Sequence, residues 1–387
     1  MIPVRNIGRF VKKAIKQPAY AASVFQKRLK AYLSYKLFPG RSSYPEAFTL
    51  FVTHRCNLRC KMCGQWGDLG VTRKAESAEI KEELSFEAYR KFIDEVSGFK
   101  PNITLFGGEP LLYKDCLKLI SYIKSKNMHC CMITNGTLLP RYAQDLVRLG
   151  LDELNISIDG PQDKHDAIRG VPGMFKQIKE GVDSVNEAKL KQGKKRPLVN
   201  IEFTITQYNY ENMLEMLDVA RDFQADSLNF HHLIFINQEM FDNHEKVFYP
   251  LFQSSSDAWK GFLLQGIENI DLERLNRYIS EILSRKVNFS VNVYPNLTAE
   301  EARKYYQDPA FIPQGYKKRC LSPWMVAYIF PNGDLRPCLN FAYSPGNIKE
   351  ENFKRIWNNK KYLNFRGVLK EKGIFPVCTR CTELFRY

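Results

Sequence analysis

Thr53-His54-Arg55-Cys56-Asn57-Leu58-Arg59-Cys60-Lys61-Met62-Cys63 sets three cysteines in the spacing C-x-x-x-C-x-x-C. Such a turn can bring three thiolates to three corners of one metal cluster. A [4Fe–4S] cube takes four ligands, so three cysteines leave one iron open for a small molecule. Structural zinc fits worse, because it asks for four closed ligands. Thiolates packed this closely repel one another unless a metal neutralises them.

Outward from this loop the pattern is α/β. Strands expected over residues 48–53, 103–106, 129–133, 153–158, 199–205 and 227–233 alternate with helices expected over 85–96, 113–125, 141–149, 175–190 and from 211 onward. Strands separated by helical patterns of this length imply βα units and a parallel sheet. Six units in series imply a partial (β/α)6 TIM-like barrel, with function at the C-terminal ends of the strands. A helix over 272–283 and a strand over 287–293 follow. The aromatic- and Asn-rich connection over 235–266 has no clean period and is expected to cover the barrel mouth.

Each strand end carries polar chemistry. Gly107-Gly108-Glu109-Pro110 ends the second strand, where bare backbone allows close approach and Glu109 offers a carboxylate. Asn135 stands at the third strand end and reads equally as a turn residue. Asn155, Ser157 and Asp159 share one face of the fourth strand, and Arg169 lies ten residues on. Asp159 also reads as a turn residue, and Arg169 as a surface charge. Glu202, His231 and His232 are candidates for proton transfer, although only one of the two adjacent histidines can face the barrel interior.

A second set, Cys320, Cys338, Cys378 and Cys381, closes the chain. Asn332-Gly333 between apolar runs signals a hairpin that would hold Cys338 near Cys320. Four thiolates with one C-x-x-C pair suit a closed cluster, and they suit structural zinc too.

The 387 residues carry a net charge of +15, and no acidic residue precedes Glu46. That segment holds ten lysines and arginines, with aromatic and aliphatic residues between them. It reads as two basic helical pieces divided near Gln17-Pro18. An anionic membrane surface meeting residues 1–41 explains such a segment, and so does a helix packed on the barrel. Nucleic acid is disfavoured, because no binding module accompanies the charge. The expected units are 1–45, a basic helical extension; 46–310, the barrel; and 311–387, a cysteine domain. Clustered cysteines without a secretory signal fit a reducing cytoplasm, with a peripheral place at the inner face of the membrane open to the chain.

The cysteine loop with Gly-Gly-Glu-Pro resembles the radical S-adenosylmethionine (SAM) superfamily. The tail, with Gly346-Asn347-Ile348 and Ile356-Trp357-Asn358, resembles the SPASM/twitch iron–sulfur domains of that superfamily. No further cysteine follows Cys381, which matches the smaller twitch form with one auxiliary cluster. The resemblance implies that Cys56, Cys60 and Cys63 hold a [4Fe–4S] cluster whose open iron chelates SAM. It implies that reductive cleavage of SAM gives a 5′-deoxyadenosyl radical that removes a substrate hydrogen. Gly107, Gly108 and Glu109 would bind the SAM amino group, and Asn135 would lie along its adenosine. Ser157 and Arg169 would meet its ribose and carboxylate, with Asp159 beside them. Met62 stands where the superfamily usually has an aromatic residue, and its thioether can pack on adenine. Cys320, Cys338, Cys378 and Cys381 would hold a second [4Fe–4S] cluster that passes an electron, which favours an oxidation or bond-forming modification. Flavodoxin or ferredoxin would be the electron donor. A lipid-linked or anionic substrate is the first expectation. A peptide or sugar substrate, or a zinc-stabilised binding protein on a degenerate barrel, is the alternative.

Overall fold

This computed structural model describes residues 18–263 and 267–387, together with Val11 and Ile15. The strands are β1 Ala47–Thr53, β2 Asn102–Gly107, β3 Cys130–Thr134, β4 Glu153–Ser157, β5 Leu198–Ile205, β6 Ser227–His232, β7 Ser290–Tyr294, β8 Val326–Ile329, β9 Asp334–Arg336 and β10 Gly346–Asn347. Among the described residues they form one sheet in the order β10-β9-β8-β1-β2-β3-β4-β5-β6-β7. Pairing is parallel from β1 through β7, and β8 joins β1 in parallel with Ala47 opposite Val326. The final hairpin, β8 to β10, is antiparallel.

The six expected strands all form, but the barrel sheet is larger than six. β7 extends it beyond β6, and β8 lies against the other side of β1. All four residues of β8 are buried, and β-rich apolar runs of this kind sit inside sheets rather than at their edges.

Strand alternation divides the sheet into two faces. Ile103, Leu105, Met132, Leu154, Ile156, Ile201, Phe203, Leu228 and Phe230 are fully buried on one face. The period-3.6 apolar residues of the surrounding helices pack there, as Tyr89, Phe92, Ile93 and Val96 do in Phe86–Val96. The other face carries Thr104, Asn155, Glu202, Asn229 and His231 and lines the interior.

The connection after β6 departs from its expected irregularity. Helix Gln238–Phe252 forms in it, N-capped by Asn237, which accepts from the Met240 amide at 2.8 Å. Its buried residues Met240, Phe241, His244, Phe248 and Phe252 follow a helical period once His244 counts as apolar. His244 is buried, bonded to Ser256 at 2.8 Å and stacked near Phe341. The expected cover forms further on. A Cβ at Gly261 would stand 2.0 Å from the Gly64 carbonyl oxygen, so the segment Asp257–Phe262 lies directly on the cysteine loop.

Of the two expected basic helices, the first lies outside the described residues apart from Val11 and Ile15. The second is Pro18–Leu37. It buries Ala21, Val24 and Ala31, packs on the segment Ser322–Met325 just before β8, and pairs Arg28 with Glu46 at 2.7 Å. The chain that follows is tied to the C-terminal region. Buried Arg366 stacks on Trp357 and Tyr362 and donates to the carbonyls of Gly40, Pro323 and Trp357. Trp357 Nε1 donates to the Ser43 carbonyl.

Candidate active site

The cysteine loop leaves β1 and is fixed at once to the end of β2. The Gly108 amide donates to the Thr53 carbonyl and the Glu109 amide to the Arg55 carbonyl, both at 2.8 Å. A Cβ at Gly108 would stand 2.2 Å from the Arg55 carbonyl oxygen, so this contact requires glycine. Arg55 reaches Glu83 at 2.6 Å and the Leu112 carbonyl at 2.7 Å. Arg59 stacks on Trp66, whose indole donates to the His54 carbonyl.

The residues fit a cluster. Cys56, Cys60 and Cys63 are free thiols. Backbone amides of Leu58 and Trp66 point at the sulfurs of Cys56 and Cys63, at 3.5 and 3.4 Å. Hydrogen bonds to sulfur are one way a protein tunes iron–sulfur clusters. Burial pushes the Cys56 thiol up to about 11, and its neighbours Cys60 and Cys63 add to the rise. Such a thiol gives up its proton to a metal rather than to water.

Glu109 is fully buried, and burial raises its pKa against the hydrogen bonds that lower it. Its carboxylate accepts from Thr134 Oγ1 at 2.8 and 2.9 Å, from the Asn135 amide at 2.8 Å and from the Leu111 amide at 3.1 Å. The side chain expected to meet SAM is thus committed first to the protein, where it holds the end of β3. Asn135 in turn donates to Asn57 Oδ1 at 2.9 Å and lies 3.9 Å from Cys56 Sγ. It is a cross-link between β3 and the cysteine loop as well as a turn residue.

Asp159 and Arg169, expected separately, form one buried ion pair through the arginine Nε and Nη2. The other Asp159 oxygen accepts from the Thr204 amide at 2.9 Å. Burial opposes the charge of Arg169, yet Asp159 and Cys60 outweigh it and raise its pKa. Arg169 therefore sits between β4 and the cysteine loop, not on the surface. Ser157 lies half-buried at the end of β4, and Met62 is half-buried in the loop.

The interior carries a polar ladder that the sequence showed only in fragments. Asn200 bonds Asn155, Ser227 bonds Asn200, and Asn229 bonds both Ser227 and Glu202. Asn292 then bonds Asn229. The signal was present as one polar residue in two along four consecutive strands, β4 to β7. His231 Nε2 lies 2.6 Å from Glu202 Oε2 on this face. His232 does not belong to it. It is buried on the opposite face against the Tyr306 hydroxyl at 3.0 Å, and burial lowers its pKa to about 3. As a proton-transfer candidate His232 is set aside.

Cys320, Cys338, Cys378 and Cys381 line a cavity of about 520 Å³ whose walls also include Thr104, Asn155 and Tyr328. Burial raises all four thiols, Cys338 and Cys378 to about 12, and each lies within the field of others. Among the described residues no three His, Cys, Asp or Glu side chains converge tightly enough for a single metal ion.

Residues 50–222 match the radical SAM superfamily, and residues 320–382 match an iron–sulfur cluster-binding (SPASM) domain. An Fe-coproporphyrin III synthase of Methanosarcina barkeri is 31% identical over 349 residues, covering 86% of this chain and 79% of that protein. The chain belongs to the radical SAM superfamily. An AdoMet-dependent heme synthase of the same organism is 25% identical over 346 residues, covering 86% of this chain and 88% of its own length. The solved structure of Streptococcus suis SuiB bound to S-adenosylmethionine shares the fold, with a TM-score of 0.60 at 16% identity over 88% of this chain and 71% of that one. This radical SAM protein is an iron–sulfur enzyme that binds SAM, with an auxiliary [4Fe–4S] cluster in its C-terminal region. Membership overturns the zinc-stabilised binding protein as an alternative.

Proposed function

We propose that the chain oxidises an anionic organic substrate, lipid-linked in the first instance, by two electrons inside the barrel. Cys56, Cys60 and Cys63 would hold the SAM-binding cube, and Cys320, Cys338, Cys378 and Cys381 the auxiliary one. Met62, Gly107, Gly108, Glu109, Asn135, Ser157, Asp159 and Arg169 would surround SAM. When bound, these groups supply a hydrogen-abstracting 5′-deoxyadenosyl radical and a one-electron acceptor.

The chain's own residues do the rest. The polar ladder from Asn155 to Asn292 orients a hydrogen-bonding substrate. Segment Asp257–Phe262 excludes water above the cysteine loop. With His231 Nε2–H donated to Glu202, Nδ1 is the basic nitrogen. Where the bound groups would take a hydrogen atom and one electron from the substrate, His231 Nδ1 would accept the adjacent O–H or N–H proton and so complete a two-electron oxidation. Glu202 stabilises the imidazolium that results, and the substrate gains a double bond.

What carries this reading is one cavity whose walls come both from the interior strand face, at Thr104 and Asn155, and from the four C-terminal cysteines. A flavodoxin or ferredoxin would reduce the first cube. The basic segment 1–41 would keep the enzyme in the cytoplasm at the inner face of a membrane. A second reading, favoured by the 31% identity to an Fe-coproporphyrin III synthase, is a carboxylated tetrapyrrole as the anionic substrate.

The test is label transfer. Deuterated lipid-linked, tetrapyrrole, peptide and sugar candidates are incubated with reduced enzyme and SAM, and deuterium in 5′-deoxyadenosine is measured. The right substrate labels it, and His231→Gln keeps the label while slowing oxidised product by roughly a hundredfold or more. Full product formation by His231→Gln removes the proton-acceptor role.

A further inference from the structure

Helix Pro18–Leu37 is apolar on two sides. Ala21, Val24, Arg28, Ala31 and Tyr35 recur at the three- and four-residue spacing of one face, and that face packs on the segment Ser322–Met325 just before β8, with Arg28 paired to Glu46. Tyr35 packs edge-on against Trp324 at 5.1 Å. On the far side Leu29, Leu33 and Leu37 recur every four residues, a row that winds by about 40° per step. Phe38 continues it. These side chains are 41% to 68% exposed. A helix apolar on both faces is covered on both faces in its working state.

We propose that this outer row docks on an anionic lipid bilayer. Charge complementarity decides for a bilayer over a protein. Lys30 and Lys36 are exposed on the same helix, and no acidic side chain precedes Glu46, which is engaged by Arg28. Basic residues from the far end of the chain converge on the same helix. Arg319 lies over Tyr32 and Tyr35, and Lys370 reaches the Lys36 carbonyl and the Tyr35 ring. An exposed apolar row bordered by lysines is the geometry of a helix lying in a headgroup layer, where each cation adds salt-sensitive attraction. Lys27 donates to the Lys100 carbonyl just before β2, and Arg28 pairs with Glu46 just before β1. The docking face therefore lies at the N-terminal ends of these strands, away from the cysteine loop, and leaves the SAM end free.

The inference rests on the lipid-linked reading for its purpose only, because binding is measured without substrate. The full chain, purified anaerobically, is sedimented with phosphatidylcholine vesicles and with vesicles containing phosphatidylglycerol. It should pellet with the anionic vesicles alone, and release at high salt. Leu29→Glu/Leu33→Glu should weaken pelleting at least tenfold with SAM cleavage unchanged, and Lys30→Glu/Lys36→Glu should weaken it while the apolar row stays intact. Wild-type protein that ignores anionic vesicles overturns the proposal. So does a wild-type dimer in ultracentrifugation that Leu29→Glu/Leu33→Glu converts to monomer, which assigns the row to a second copy. A negative vesicle result beside positive label transfer separates this failure from failure of the reaction class.

Discussion

The two cysteine sets are built in opposite ways. The first rides on a single irregular loop, with Cys56 and Cys63 half-exposed and a guanidinium, Arg169, against Cys60. The second draws on three separated places in the chain, Cys320, Cys338 and the Cys378/Cys381 pair, and an anion, Glu383, acts on it and raises Cys320, Cys338 and Cys381. Local ligation beside a cation suits a site that must receive a small molecule. Distant ligation beside an anion suits a site that only changes its electron count. The cation in the first set is itself anchored, because Asp159 holds Arg169 in place.

The largest expected effect would break the comparison at its root. Replacing Cys56, Cys60 and Cys63 with alanine should abolish SAM cleavage and remove about half of the iron, since the two ligand sets are independent. Production of 5′-deoxyadenosine by the triple variant would show that SAM is bound elsewhere. Next, Cys378→Ala or Cys381→Ala should stop product formation while some uncoupled SAM cleavage persists. Unchanged product yield would reduce the second set to a structural staple.

Glu109→Ala sharpens the comparison on the first side alone. It strands Thr134 Oγ1 and the amides of Asn135 and Leu111 in a buried place. Each unmet donor costs about 1–3 kcal/mol, so the melting temperature and SAM affinity should both fall while the auxiliary cluster stays loaded. A loss of SAM affinity at unchanged melting temperature would make Glu109 a direct SAM ligand and little else. The smallest effect belongs to Glu383→Gln. It removes the negative charge of Arg386's 3.2 Å partner, and the reduction potential of the auxiliary cluster should rise, because net charge near a cluster sets its potential. A redox titration followed by EPR reads the shift. An unchanged potential would mean that Arg386 already cancels the glutamate.

What was legible in the sequence was whatever repeats or is spaced by chemistry. The six strands stand out by period and apolar content, and C-x-x-x-C-x-x-C and Gly-Gly-Glu-Pro by spacing. β8 was legible as half of a hairpin but not as the neighbour of β1, because parallel pairing across most of the chain leaves no local trace. The Asp159–Arg169 pair was legible as two residues and not as a bond, since a helical turn between them decides where the guanidinium lands. His231 and His232 were separable only by register, which β6 supplied. Helix Pro18–Leu37 was read as either packed on the barrel or lying on a surface. It packs with one side and exposes the other, so deleting residues 1–41 would uncover Trp324 as well as remove the outer row. Point changes on that row are the cleaner probe.

The placement of β8 beside β1 has a consequence for how the protein is made. β1 emerges from a ribosome ahead of both its partners, and the one on one side, β2, follows soon. Its partner on the other side begins at Val326, roughly 280 residues later, which at about 5–20 residues per second is a wait of tens of seconds. During that interval the apolar edge Phe48-Thr49-Leu50-Phe51 stands open to any strand that passes. The nascent chain therefore has a long window in which a chaperone can decide the yield of folded enzyme.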